Sequence, residues 1–212
     1  MRKYFKPTPR LILDLGCGTG YMTEVLSRNG HRVVGTDLRP EGLFSAREIS
    51  SDAFLVQADA THLPIKDNQF DGALVLDVLE HVDDQILSSE LCRILRPGGS
   101  AIVAVPAFPW LWSYRDKGAR HRRRYTRNQL SNLFAMKGFQ IEEVRYYQFF
   151  LLPLVVLTRL LGKGGPRLRD LEEQPTRRLN TLFISINDLE IRLGEFIRWP
   201  FGSSLVIVVR KR

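Results

Sequence analysis

The sequence predicts an α/β fold, a three-layer sandwich in which helices cover both faces of a mostly parallel sheet. Three observations carry this. Short apolar runs alternate with segments of helical spacing from Leu11 to Val105, and such alternation builds parallel sheets through right-handed crossovers. The run Leu13-Asp14-Leu15-Gly16-Cys17-Gly18-Thr19-Gly20 joins the first apolar run to the first helical one by a turn with little side-chain bulk. A length of 212 residues, 44% hydrophobic and 25% charged, suits one domain with a sizeable core.

The elements follow in order. Leu11 to Leu15 is a buried strand bounded by Pro9 and Gly16. Gly20 to Asn29 is a helix with Met22, Val25 and Leu26 on one face and Gly30 as its stop. Arg32 to Thr36 is the second strand, ending at Asp37. Glu41 to Ile49 is the second helix, entered at Pro40, where a missing N–H costs nothing. Ala53 to Gln57 and Phe70 to Leu76 are the third and fourth strands. Asp84 to Leu95 is a helix stopped by Pro97-Gly98-Gly99, and Ala101 to Val105 is the fifth strand. After Pro106 the pattern changes: residues 107 to 125 mix aromatics with arginines and have no clear period. Thr126 and Gln129 are spaced as a capping box for the next helix. Gln140 to Tyr147 is a sixth strand, and Phe149 to Leu161 is strongly apolar around Pro153. Leu179 to Ile197 has helical spacing through Leu182, Ile186, Leu189, Leu193 and Phe196, and Ser204 to Val209 is a final strand. Gly162 to Pro175, rich in Gly, Pro and charge, reads as a mobile loop.

The formal net charge of +8 favours anionic partners, whether phosphates, nucleic acid or acidic lipid headgroups. Two cysteines, Cys17 and Cys92, make no disulfide framework, so a reducing, cytoplasmic compartment is expected. The first ten residues contain no apolar h-region, and no stretch reaches the apolar length that spans a bilayer. No metal is assigned from the sequence.

A strand, then Gly-x-Gly-x-Gly, then a helix lets a ligand approach the backbone closely while helix N–H groups face it. An acid about 20 residues on, at the end of the next strand, can bind two ribose hydroxyls, and Asp37 lies at that distance from Gly16. Asp59, in Ala58-Asp59-Ala60 after the third strand, can accept from the amino group of an adenine. The plainer alternatives are a simple tight turn or the dinucleotide fingerprint Gly-x-Gly-x-x-Gly. Glycines at 16, 18 and 20, with Tyr21 in the last dinucleotide position, speak against a nicotinamide dehydrogenase.

At this point the sequence resembles the class I S-adenosylmethionine-dependent methyltransferases, in particular the group with small-molecule and lipid-pathway enzymes (methyltransferase type 11). The glycine run, Val34-Gly35-Thr36-Asp37, Ala58-Asp59-Ala60, Phe70-Asp71-Gly72-Ala73-Leu74-Val75, Leu79-Glu80-His81-Val82 and Leu95-Arg96-Pro97-Gly98-Gly99 come in the family's order over about residues 11 to 105. The resemblance implies a Rossmann-like seven-stranded sheet whose last strand, Ser204 to Val209, runs antiparallel to the rest. It implies S-adenosylmethionine as cofactor, with S-adenosylhomocysteine as product. Asp14 with Gly16, Cys17, Gly18 and Gly20 would hold its amino-acid end, Asp37 and Leu38 the ribose side, and Asp59 with Ala60 the adenine. Asp77 would line the methyl-transfer site. Residues 1–212 then read as one domain, with a cofactor-binding core at 11–105, an acceptor-side segment with extra helices at 106–203, and the last strand at 204–212.

Ligands of an open α/β sheet sit beyond the carboxyl ends of its strands, so the acceptor is expected against the segment after the fifth strand. Trp112, Arg115, Arg122, Arg123 and Tyr125 are its candidate contacts, because guanidinium groups pair with anions and stack on rings. The competing reading is a solvated basic loop with a few anchoring aromatics. His121 to Tyr125 also resembles a His-x-Arg-Arg-Tyr element of some bacterial members of the group. A hydroxyl acceptor needs a base, and His121 and His81 are the catalytic candidates; each competes with a structural role. The expected substrate is a small-molecule or lipid-linked acceptor, anionic in character, methylated at oxygen. The alternative is an RNA methyltransferase using the basic 115–127 segment, against which stands Leu76-Asp77-Val78-Leu79 where an Asn-Pro-Pro-Tyr type motif would be. A binding module that keeps the pocket without catalysis is a third reading. Phe149 to Leu161 reads as core packing, as a cover for a greasy acceptor, or as a peripheral contact with the inner membrane face.

Overall fold

The computed structural model describes residue 5 and residues 10–50, 52–161, 177–194 and 196–212. One seven-stranded sheet organises them. Strand β1 (Leu11–Leu15) lies centrally and pairs in parallel with β2 (Arg32–Asp37) and β4 (Phe70–Leu76). Beyond β2 lies β3 (Phe54–Gln57), and beyond β4 lies β5 (Leu95–Pro106), both parallel to their neighbours. Strand β7 (Ser204–Lys211) enters antiparallel between β5 and β6 (Phe139–Tyr147), giving the order β3-β2-β1-β4-β5-β7-β6. The antiparallel last strand is the arrangement the sequence led us to expect. The chain winds outward from β1 to β3 and then returns to β4, so the direction of winding reverses between β1 and β4. Crevices at such reversals, outside the carboxyl ends of the strands, are where open α/β sheets bind ligands.

Helices α1 (Tyr21–Arg28), α2 (Pro40–Ile49), α3 (Asp84–Ile94), α4 (Tyr114–Gly118), α5 (Arg127–Met136), α6 (Leu152–Leu161) and α7 (Arg177–Leu193) accompany the sheet. Successive strand residues feed two different cores, as the two-residue period of a strand requires. Leu13, Ala73, Val75, Val103 and Ile207 pack with Leu87, Leu91 and Ile94 of α3 and with Leu130, Leu133 and Phe134 of α5. Ile12, Leu74, Ile102 and Val208 face the other way, against Phe5, Leu26 and Val33. Strands buried on both faces lose the polar alternation of a one-sided sheet, which is why β1 and β4 read as nearly unbroken apolar runs.

Several expectations need correction. Helix α3 ends at Ile94, and Leu95 is already extended, with φ −75° and ψ 142°. Pro97 disfavours helical geometry at Arg96, so Pro97-Gly98-Gly99 lies inside β5, where the register against β4 shifts between Phe70 and Gly72. Residues 107–125 hold a 3₁₀ turn at Pro109–Leu111 and helix α4, whose capping box is formed by Ser113 and Asp116. The anticipated capping box of Thr126 and Gln129 starts α5. In α7 the inward positions are Phe183, Ile186, Asn187 and Glu190, whereas Leu182 and Leu189 of the expected apolar stripe are exposed. Glu190 is the anchor: its carboxylate accepts from the N–H groups of Phe149 and Phe150 at 2.9 and 3.2 Å. The stretch Gly162 to Pro175 lies outside the described residues. Among the described residues no helix is long and apolar enough to cross a membrane.

Candidate active site

The glycine turn is built by contacts that leave no space for a side chain at Gly16 or Gly20. Gly16, Gly18 and Gly20 all have positive φ, a region that glycine enters without steric cost. The N–H groups of Gly16 and Cys17 both donate to the Thr36 carbonyl, at 2.7 and 2.9 Å, which ties the end of β1 to the end of β2. A Cβ on Gly16 would stand 2.3 Å from Cγ2 of Val78, and one on Gly20 would stand 2.7 Å from Cβ of Ala46. A Cβ on Gly18 would meet nothing within 4 Å, so the backbone there is open to a ligand. Gly16→Ala is expected to weaken S-adenosylhomocysteine binding at least about tenfold and to lower the melting temperature, since it combines strain at positive φ with overpacking. Calorimetry and a thermal melt check this.

Three acids stand at or just past the ends of β1, β2 and β3. Asp14 is 3% exposed and accepts from Oγ1 of Thr23 at 2.6 Å. Burial raises its pKa to about 6 despite the Thr23 hydrogen bonds, and the nearby Asp37 adds to the rise. Asp37 accepts from the N–H of Gly18 through Oδ2 and from the N–H of Arg39 through Oδ1, each at 2.9 Å. A carboxylate has about four lone-pair sites, so Asp37 retains acceptor capacity for hydroxyls. Asp59 is exposed and forms a local turn, its Oδ1 accepting from the N–H and hydroxyl of Thr61; these bonds lower its pKa. Burial, with Asp14 and Asp37 adding to it, pushes the Cys17 thiol up to about 12, so it packs as an uncharged group beside Gly35. Leu38 is 64% exposed just past Asp37. An exposed apolar side chain beside an acid that can hold ribose suits one edge of a nucleoside.

Asp77 ends β4 in a left-handed conformation with φ 53°, its N–H held by the Ala104 carbonyl at 3.1 Å. Phe108, just past β5, and Gln148, just past β6, are also left-handed. Strain in non-glycine residues thus recurs beyond the carboxyl ends of these parallel strands, as it does at functional sites. Because Gly16 packs on Val78, the segment 77–81 borders the glycine turn directly.

The structure brings His81 and His121 together, with ring centroids 4.8 Å apart at an interplanar angle of 84°. Nδ1 of His121 lies 3.0 Å from Oδ1 of Asp116. Asp116 is fully buried and accepts from Nε of Arg124 at 2.6 Å and from the Ser113 N–H at 2.8 Å. Burial works to raise its pKa, but Arg124, Ser113 and His121 together hold it below the usual carboxylate range. Asp116 therefore stays charged and fixes the His121 ring. Burial, and then His121, lower the pKa of His81. Glu80 sits beneath the pair, 1% exposed. Asp116 and Glu80 carried no role in the sequence reading. Asp116 had a local signal in its capping spacing from Ser113, and Glu80 had its place beside His81; neither pattern reveals the partner across the fold.

The expected acceptor contacts divide. Trp112, Arg122, Arg123 and Tyr125 line a cleft of about 780 Å³ together with Asp84 and Met136. Arg115 lines a second cavity of about 260 Å³, with Arg124, Arg159, Leu151, Val155 and Phe183. Tyr125 is 3% exposed in the core, its hydroxyl 3.1 Å from Oδ2 of Asp84, so it acts as wall and support. Arg123 also bonds Asp84, at 2.8 Å, and Arg124 is buried against Asp116. Two of the three consecutive arginines are therefore engaged in ion pairs, while Arg122 is exposed on the cleft wall.

Comparison with known proteins bears on the cofactor-binding half of the chain. Residues 13–103 match the family model described as a methyltransferase domain. Residues 13–103 are a methyltransferase domain dependent on S-adenosylmethionine. An uncharacterised methyltransferase of Mycobacterium sp. strain JLS is 32% identical over 131 residues, covering 57% of this chain and 51% of its own length. A malonyl-[acyl-carrier protein] O-methyltransferase of Buchnera aphidicola is 30% identical over 129 residues, covering 59% of this chain and 51% of its own length. The chain spans about half the length of these curated relatives. In fold, this methyltransferase domain is similar to phosphoethanolamine N-methyltransferase 2 of Haemonchus contortus, solved with S-adenosylmethionine. The TM-score is 0.66 at 19% identity, over 99% of this chain and 51% of that one. The open Gly18 backbone and the three acids at the ends of β1, β2 and β3 fit the cofactor that defines the class.

Proposed function

We propose that this methyltransferase transfers a methyl group from S-adenosylmethionine to an oxygen of a small, carrier- or lipid-linked acceptor bearing an anionic group. The observation that carries the reading is the His81–His121 pair, which Asp116 anchors and which stands beside the glycine turn at the end of β4. S-adenosylmethionine supplies a methyl carbon activated by its sulfonium. The chain's own residues supply alignment, which accounts for most of the catalysis of such a transfer. Asp14 would take the cofactor's ammonium, Asp37 the ribose hydroxyls, and Asp59 with Ala60 the adenine edge. An acceptor hydroxyl would bind and lose its proton at the cluster of Asp77, Glu80, His81 and His121, with Trp112, Arg122 and Arg123 in the cleft beside it.

The second cavity supports an acceptor with a greasy body. Leu151, Leu154 and Val155 of the apolar 149–161 segment line it opposite Arg115 and Arg159, so this segment reads as a cover for the acceptor. Its exposed Phe150 and Leu157 are what a peripheral membrane contact would use. The carrier-protein O-methyltransferases among the relatives make a carrier-linked carboxylate one acceptor class to test. The cytoplasmic assignment belongs to the same reading, with Cys17 and Cys92 both free. The buried and paired arginines weigh against RNA as the acceptor.

Two measurements test the proposal. Calorimetry should show binding of S-adenosylhomocysteine and none of NAD. Labelled methyl transfer into the lipid, polar and nucleic-acid fractions of a cell extract should mark the lipid or polar fraction. Label confined to nucleic acid would overturn the acceptor assignment. His121→Ala is expected to lose roughly a hundredfold or more in turnover while keeping cofactor affinity; wild-type turnover would remove His121 from the chemistry.

A further inference from the structure

We propose that Glu80, His81 and His121 form a binding site for one divalent first-row transition-metal ion just past the end of β4. The inference rests on the acceptor site assigned above and names an ion that would work there.

A carboxylate oxygen of Glu80 and one ring nitrogen each of His81 and His121 lie within 4.8 Å of one another. An ion bonded at about 2.1 Å to two atoms holds them no more than about 4.2 Å apart, so small side-chain rotations close the set. Glu80 is 1% exposed, and its Oε2 has no hydrogen-bond partner. A buried carboxylate oxygen without a partner is costly, and a cation bound there removes the cost.

The surroundings of the histidines point the same way. His121 gives Nδ1 to Asp116 at 3.0 Å, which leaves Nε2 as its ligand atom. The His81 ring is likewise held by the Arg120 backbone carbonyl, which leaves its other nitrogen. Metal-bound histidines almost always donate their second nitrogen to a carboxylate or carbonyl in this way, which fixes ring and tautomer. Two packed imidazoles repel when both are charged, and one cation between two neutral rings resolves that. Two nitrogens with one carboxylate select Mn²⁺, Co²⁺ or Zn²⁺ over Ca²⁺. An acceptor hydroxyl bound to the ion would be more acidic than a free one, so the histidines would act through the ion as ligands.

The test is titration of chelator-treated protein with MnCl₂, CoCl₂ and ZnCl₂ by calorimetry, with Co²⁺ absorption as the spectroscopic signature. One ion per chain is expected. Glu80→Gln, His81→Asn and His121→Asn should each weaken it at least about tenfold, while S-adenosylhomocysteine affinity stays at the wild-type value. Glu80→Gln removes a buried charge without changing shape, so its melting temperature without metal should not fall; it separates ligand loss from misfolding. No stoichiometric uptake up to about 1 mM ion by a chain that binds S-adenosylhomocysteine would overturn the metal site and leave the methyltransferase reading standing. Undiminished uptake by all three variants would overturn it equally. Failure to bind S-adenosylhomocysteine would instead strike the functional reading.

Discussion

Asp14→Asn is expected to weaken S-adenosylhomocysteine binding by about a hundredfold and to remove the pH dependence of stability at this position. The argument starts from burial. The folded chain holds the Asp14 carboxyl at about 6, against an ordinary value of 3.8. Below 3.8 the group is protonated in both folded and unfolded chains and burial carries no charge penalty. Between 3.8 and 6 the unfolded chain ionises first, so wild-type stability falls as pH rises, and above 6 the penalty is complete at up to about 3 kcal/mol. Asparagine still accepts from Thr23 and carries no charge. The melting temperature of Asp14→Asn relative to wild type should therefore rise steadily between pH 4 and pH 7. Binding should move the other way. A ligand ammonium needs the ionised form, so wild-type affinity should weaken as pH drops below 6, while the variant stays weak throughout. Paired melts and calorimetry across that window check both halves. A variant with wild-type affinity would remove Asp14 from the ammonium.

Asp116→Ala is expected to cost about 3–5 kcal/mol of stability and to abolish most turnover. Asp116 and Arg124 are both buried, 2.6 Å apart. Removing one member of a buried pair leaves the other charged without compensation, and the Ala107 carbonyl, 3.0 Å from Arg124, offsets only part of this. For a chain of this size the melting temperature should drop by roughly 10 °C. The loss in turnover has a separate origin, since the His121 ring loses the group that orients it. The more conservative Asp116→Asn separates the two: it keeps an acceptor for His121 and should keep more activity than stability. Equal melting of Asp116→Ala and wild type would show that Arg124 does not depend on this partner.

What could be read from the sequence follows from how local each feature is. The cofactor half is local. A strand, a glycine turn and a helix are contiguous from Leu11 to Arg28, and Asp37 is one strand further on. The spacing of residues there already determines the spacing in space. The acceptor half is assembled across the chain. His81 and His121 were each visible as candidates, but their contact depends on where the segment after β5 returns across the end of β4. Arg124 looked like one charge in a solvated run because nothing in its neighbours reports that Asp116 has been buried beside it. The inward stripe of α7 was misplaced for a related reason. Its buried position is an acid, Glu190, which satisfies backbone N–H groups of another segment, and hydrophobic periodicity has no means of registering that. At β5 the proline–glycine pair was read as a break, whereas the strand absorbs it in a register shift.

The insertion of β7 between β5 and β6 bears on how the chain is made. Ser100 pairs with Arg210 and Phe139 with Lys211, so two stretches synthesised earlier must wait for β7 to be made. During that interval β5 offers an unpaired apolar edge, and such edges recruit other chains. The most vulnerable interval for this fold thus lies between the synthesis of β5 and that of β7, and its yield in a cell should depend on chaperone capacity more than its finished stability would suggest.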